Sequence, residues 1–206
     1  MIRLLAISAS PVEGSSTDLL LNRLATAVTD NLAGKHRIST DFVKLNELRF
    51  APCQSCGEAP TPKFCFLEDD LTDIYARLVA CDCVLFGSPV YFDTVSAQAK
   101  MFIDRCNCFR PPDFNNVDPQ HDFIRILDRS RPGAMVLVGG RRGWFEGARR
   151  VVAGFFKWVE VDNQGVLTYS SPRFTRSGSA ADCPDTLKRA DEIGRLLAEA
   201  IVKKHE

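Results

Sequence analysis

Residues 134–140 read Ala134-Met135-Val136-Leu137-Val138-Gly139-Gly140. An apolar run with no polar alternation marks a strand covered on both faces, the condition of a central strand in a parallel sheet. Working outward from it, Cys81–Gly87 is a second apolar run and continues into Ser88-Pro89-Val90-Tyr91. Arg3–Ser8, Ile38–Leu45 and Gly165–Tyr169 read as the remaining strands. Helical periodicity fills the gaps between them. In Thr17–Leu32, Leu20, Leu24, Ala27, Val28 and Leu32 share one face, with Ser15 or Ser16 as N-cap and Gly34 as stop. Leu71–Val79, Val95–Cys108, Glu146–Val159 and the amphipathic Pro184–Lys204 are the other helices.

Strands alternating with helices build a parallel sheet covered on both faces. Five of each in 206 residues match an α/β, flavodoxin-like three-layer sandwich, with a five-stranded sheet of order 2-1-3-4-5 and residues 1–206 as one domain. Two stretches break the alternation: Arg49–Asp70, with three cysteines and three prolines, and the polar connection Phe109–Pro132. Structureless loops of such length usually surround a site.

Composition removes several function classes. Lys and Arg number 26 against 26 Asp and Glu, so nucleic acid and anionic membrane are not expected partners. No apolar run approaches the ~20 residues of a membrane span. The short N-terminal run Met1–Ile7 reads as a strand rather than a signal segment. The expected compartment is the cytoplasm, where the eight cysteines stay reduced and point to metal, redox chemistry or burial rather than disulfides.

In open α/β sheets, ligands bind beyond the carboxyl ends of the strands, at the switch point. After the first strand comes Ser8-Ala9-Ser10-Pro11-Val12-Glu13-Gly14-Ser15-Ser16-Thr17. Hydroxyls leading into a helix N-terminus suit an anion, or form an ordinary capped turn. Asp18 would repel a phosphate if it pointed inward. Neither a dinucleotide G-x-G-x-x-G nor a Walker-type G-x-x-x-x-G-K-[ST] is present. After the third strand, Pro89-Val90-Tyr91-Phe92 offers a ledge for a flat aromatic ligand. After the fourth, Gly139-Gly140 permits close backbone approach, while Arg141 and Arg142 read as a solvated pair. Together the three segments suit a phosphorylated flat ring system.

The set Ser8-x-Ser10 to Ser15-Ser16-Thr17, Gly87-Ser88-Pro89-Val90-Tyr91-Phe92, and Val95-Ser96-Ala97-Gln98-x-Lys100-x-Phe102-Ile103-Asp104-Arg105 resembles the NADPH-dependent FMN reductases and iron–sulfur flavoproteins. The resemblance implies FMN, with Ser8, Ser10, Ser15, Ser16 and Thr17 on its phosphate. Pro89, Val90, Tyr91 and Phe92 would line the ring, and Gly139 and Gly140 would close its other side. It implies an enzyme that passes hydride from NAD(P)H through flavin to a small acceptor such as a quinone or free flavin, with Tyr91 as the side chain nearest the reaction. A homodimer or homotetramer is implied too, and Phe109, Phe114 and Phe123 would cover the flavin or pack on a partner. The alternative is an electron carrier between proteins. Lys100 and Asp104 also have a plain account as a surface helix pair. Two departures stand out. The phosphate loop has no Arg or Lys. Cys53, Cys56 and Cys65 match three positions of a four-cysteine cluster motif, but Ala59 stands at the other. No metal is therefore expected at Cys53, Cys56 and Cys65 unless Cys106 or Cys108 is brought near, because a cubane cluster normally takes four thiolates. Cys81, Cys83 and Cys183 read as buried hydrophobes.

Overall fold

Strand β1 (Ile2–Ser8) pairs in parallel with β2 (Ile38–Lys44) on one side and β3 (Cys83–Tyr91) on the other. Beyond β3 lie β5 (Arg131–Gly139) and β6 (Val161–Ser170), also parallel. The short β4 (Thr94–Val95) folds back on β3 as a hairpin. The path β2-β1-β3-β5-β6 is the expected 2-1-3-4-5 order once that hairpin is set aside. The computed structural model describes residues 1–56, 64–109, 127, 129–172 and 178–205. Most of the 109–132 connection, including Phe114 and Phe123, therefore lies outside the described residues, as does Ala59.

The pleat sends alternate side chains to opposite faces. Leu5 and Ile7 of β1, Phe86 of β3 and Met135 and Leu137 of β5 enter one core layer. That layer is covered by α2 (Leu71–Ala80), α3 (Ala97–Arg105) and α4 (Glu146–Trp158). Phe86, Phe102 and Phe155 form its aromatic centre, with ring centroids 5.3–6.1 Å apart. Leu4, Ala6, Leu85 and Val136 enter the other layer, under α1 (Ser16–Leu32) and α5 (Pro184–His205). The predicted apolar face of α1 is buried in full. No helix among the described residues is long and apolar enough to cross a membrane.

Two strands begin earlier than their apolar runs. β5 starts at Arg131, whose buried guanidinium donates to the carbonyls of Leu78, Val79 (3.1 Å) and Val159 (2.6 Å). A search for apolar runs passes over such an arginine, although three hydrogen bonds make it a core residue. β6 starts at Val161, through polar residues opposite a register shift at Gly133/Ala134. The predicted helix Val95–Cys108 divides into the end of β4, the cap Ser96, α3 and a 3₁₀ turn over Cys106–Cys108.

Helices α1 and α5 touch closely at Gly194, where a Cβ would stand 2.4 Å from the Ala27 Cβ. Alanine is the better helix former by ~1 kcal/mol, yet here it must push two helices apart. Gly194→Ala should lower unfolding free energy by about 1–2 kcal/mol, the overpacking cost exceeding the propensity gain. Urea denaturation reads the sign, and a stabilised variant would refute the packing argument.

Candidate cofactor site at the carboxyl edge of the sheet

The chain leaves β1 toward the α1 face and leaves β3 toward the α3 face, so a crevice opens between the two exits. This is the switch point where open α/β sheets place ligands. Its walls are tied together by buried hydrogen bonds. Ala9 N–H donates to Gly87 O (2.8 Å), and Ser96 Oγ donates to Ala9 O (2.7 Å). Ser96 also caps α3 by accepting from Ala99 N–H, while its own N–H donates to Ser88 Oγ (3.0 Å). Ser88 and Ser96 are both fully buried.

The Ser-rich loop is ordered from within. Ser15 caps α1 in a reciprocal box: its Oγ accepts from Asp18 N–H and its N–H donates to the Asp18 carboxylate. Ser8 Oγ donates to that same carboxylate. Ser10 Oγ accepts from Val12 N–H (3.2 Å), and Ser16 Oγ accepts from Ala180 N–H (3.1 Å). Thr17 is buried with its methyl group facing Gly87. The serines thus shape the loop first, and α1 presents its N-terminus at the loop's end.

Asp18 does point inward, but it is not alone there. Lys44, at the carboxyl end of β2, donates to Asp18 Oδ2 at 2.5 Å and to Val12 O at 2.8 Å, with both side chains about nine-tenths buried. The loop therefore has a permanent cation, contrary to the reading of its local sequence. The signal lies in the register: Lys44 is the partner of Ser8 across β1 and β2.

The second wall is a hairpin tip. Tyr91 pairs with Thr94, and Phe92 and Asp93 both take positive φ (50° and 60°), the geometry of a tight two-residue turn. Tyr91 is half exposed and Phe92 fully exposed, while Val90 packs partly on the core. Pro89 lies in register with Val138 of β5. The third wall is clamped to this tip: a Cβ on Gly147, in the first turn of α4, would stand 1.9 Å from Asp93 O. Gly139 and Gly140 end β5 at the same edge. The close neighbour at Gly139 is the ring of Phe145, 2.8 Å from an added Cβ, so a side chain at 139 would have to displace that ring. Gly140 O accepts from Gly143 N–H (3.0 Å). Arg141 and Arg142 are exposed, with the Arg142 guanidinium 5.4 Å from the Trp144 ring centre. Lys100 and Asp104 form the plain surface pair.

The chain matches the model of the NADPH-dependent FMN reductase family over residues 2–168. It belongs to that family. An iron–sulfur flavoprotein of Methanocaldococcus jannaschii is 29% identical over 209 residues, covering 97% of each chain. One of Methanosarcina thermophila is 25% identical over 166 residues, 81% of this chain and 77% of its own. Among solved structures, an NAD(P)H:quinone oxidoreductase from Methanothermobacter marburgensis superposes with a TM-score of 0.65 at 18% identity, covering 95% and 96% of the two chains. A flavodoxin from the domain Archaea does so at 0.55 and 10%, covering 98% and 99%. These two likenesses show the flavodoxin-like fold.

As an FMN reductase family member, the chain offers features that suit its flavin. A helix N-terminus faces the loop, a buried lysine neutralises the nearby carboxylate, and exposed aromatics edge the crevice. Other predicted residues sit elsewhere. Phe109 is buried against Tyr75 and Phe64, with centroids 5.6 and 4.9 Å away, so it packs in the core. Cys81 and Cys83 are buried as expected, whereas Cys183 is half-buried beside Thr186 Oγ1. His205 stands 3.7 Å from Asp82, away from the crevice.

Lys44→Met should destabilise the protein by about 3–5 kcal/mol, because it leaves Asp18 buried without its cation. Lys44→Met with Asp18→Asn should recover part of that loss. Chemical denaturation of both variants decides the matter, and a single variant within about 0.5 kcal/mol of wild type, the range of ordinary surface changes, would show that Asp18 needs no neutralising partner.

Proposed function

We propose that this protein binds FMN in the crevice between the β1 and β3 exits and oxidises NAD(P)H, passing the electrons to a small acceptor such as a quinone or free flavin. The observation that carries this reading is the convergence of three walls, from β1, β3 and β5, at one switch point. When bound, FMN supplies the hydride and electron chemistry, and the protein supplies position and electrostatics. The α1 N-terminus, with the loop of Ser8, Ser10, Ser15, Ser16 and Thr17, attracts the phosphate through backbone N–H groups and the helix dipole. Lys44 holds the Asp18 charge in a pair, so that the loop does not repel a second anion. Pro89, Val90, Tyr91 and Phe92 form the ledge for the ring, with Tyr91 closest to the reacting face. Gly139 and Gly140 bound the opposite side.

In the same reading, residues 1–206 act as one cytoplasmic domain. A second copy in a homodimer or homotetramer covers the exposed rings of Tyr91, Phe92 and Trp144. Neither nucleic acid nor membrane is a partner. The rival is an electron carrier between proteins; the zero net charge favours the enzyme, because carriers use charge steering. Steady oxidation of NAD(P)H by the pure protein with a quinone separates the two.

Tyr91→Ala should weaken FMN binding or slow turnover by about 1–3 kcal/mol, the scale of a lost aromatic anchor. The measurements are FMN titration by fluorescence quenching and steady-state NAD(P)H oxidation. Wild-type values for both would remove the ring from this ledge. A colourless protein that binds no added FMN would remove the flavin reading itself.

A further inference from the structure

A tight turn follows β5. Gly143 N–H donates to Gly140 O at 3.0 Å and Gly143 takes positive φ (62°), so Arg141 and Arg142 occupy the two tip positions. The turn is anchored on both sides. Ser171 N–H donates to Gly139 O (2.8 Å), and the Phe145 ring packs on Gly139. Four residues past the turn, Gly147 meets the hairpin tip at Asp93 O. The two arginines therefore stand on the third wall of the crevice, on backbone that its neighbours fix in place.

The charge of this wall is not balanced locally. Residues 141–150 carry four arginines against one glutamate, in a chain whose net charge is zero. That glutamate, Glu146, is already taken. It accepts from Arg149 at 2.8 and 2.9 Å and from Arg150 at 2.8 Å, and these two arginines hold its carboxyl well below the usual carboxylate range. Arg141 and Arg142 are exposed, and neither has a carboxylate or hydrogen-bond partner among the described residues. Arg142 Cζ lies over the Trp144 ring, 5.4 Å from its centre. A contact over the ring face restrains a guanidinium while consuming none of its five N–H donors, which lie along its edge. The turn thus presents two unspent forks at the edge of the crevice, one of them held in place.

We propose that Arg141 and Arg142 are the specificity-determining residues for the nicotinamide co-substrate, taking the 2′-phosphate of NADPH and so selecting it over NADH. The identity of the co-substrate rests on the flavin reading given above. The 2′-phosphate is the one group by which the two dinucleotides differ. It is a doubly charged phosphate monoester with three acceptor oxygens, the partner that guanidinium forks match bidentately. The Ser-rich loop at the start of α1 belongs to the first wall and the arginine turn to the third, so the crevice has separate places for two anions. Trp144 is a positioning residue, which acts by holding Arg142.

The test titrates the full chain, with FMN added, against 2′-phospho-ADP-ribose and ADP-ribose by calorimetry, and measures kcat/KM for NADPH and NADH. Wild type should bind the phosphorylated molecule at least about tenfold more tightly, the worth of one charge-assisted hydrogen bond. Arg141→Gln with Arg142→Gln should erase most of that difference and lower the NADPH-to-NADH ratio of kcat/KM to match, through KM. Trp144→Leu should weaken the phosphorylated molecule about 2–5-fold, the scale of an exposed cation–π contact, and leave ADP-ribose as in wild type. Arg150→Gln removes a charge already committed to Glu146 and should keep the wild-type difference within about twofold. Circular dichroism checks that each variant is folded. Equal binding of the two molecules by wild type would overturn the proposal, as would a double variant that keeps the difference. So would Arg150→Gln abolishing it as fully as the double variant, since that would show a diffuse positive field and no specific site. A chain that selects the 2′-phosphate yet binds no FMN and oxidises neither dinucleotide refutes the flavin reading and leaves the arginine turn standing. One that binds FMN and uses both dinucleotides equally does the reverse.

Discussion

Strands β1 and β3 lie side by side and send the chain to opposite faces of the sheet. That divergence leaves backbone groups at the strand ends without neighbours, and the structure answers it with Ser96. Its hydroxyl donates to Ala9 O and accepts from Ala99 N–H, while its N–H reaches Ser88 Oγ. Each such bond contributes only about 0.5–1.5 kcal/mol net, but a buried group left without one costs more. The bonds therefore act chiefly as a requirement: the Ser-rich loop, the end of β3 and the start of α3 must be placed together or not at all. Every wall of the crevice inherits its position from that junction.

The same edge carries a charge problem. A helix that offers its N-terminus to an anion gains from an acidic capping residue when empty and is hindered by it when occupied. The Ser15–Asp18 box supplies the cap, and Lys44 cancels its charge from beneath. A buried pair of this kind need not add net stability, since desolvation offsets attraction. Its value is electrostatic: the loop keeps a well-formed helix start without presenting a net negative charge to the crevice. The start of the Arg49–Asp70 stretch is fixed in the same manner, with Arg105 and Asp69 forming the pair and Ala51 the backbone that it holds.

What could be read from sequence followed how local the cause was. The apolar run at 134–138 and the face of α1 announce themselves, because burial on two faces or on one helical stripe leaves a periodic record. So did the meeting of the three loop segments, since strand–loop–helix order alone puts them at one edge. Lys44 was not readable as part of the Ser-rich loop's surroundings, because it arrives through the pairing of β1 with β2. Arg131 was missed because its burial depends on three carbonyls from two other segments. Cys106 and Cys108 are two positions apart and looked equivalent. The 3₁₀ turn that ends α3 separates them, turning Cys106 into the core and Cys108 toward the pocket it lines with Cys53, Cys56 and Cys65.

The hairpin tip shows how strain and position are related at this edge. Two consecutive non-glycine residues, Phe92 and Asp93, hold positive φ, which costs of order 1–3 kcal/mol each. An Asn-Gly pair would form the same turn at lower cost. The turn persists because its surroundings over-determine it: the pairs Val90–Val95 and Tyr91–Thr94 fix its base, and α4 closes on Asp93 O so tightly that only glycine fits at 147. A phenylalanine fully open to water gains nothing from burial within this chain. Its side chain at the tip is an apolar surface open to water at the mouth of the crevice. The strained backbone is what holds it there, at the junction of the second and third walls of the crevice.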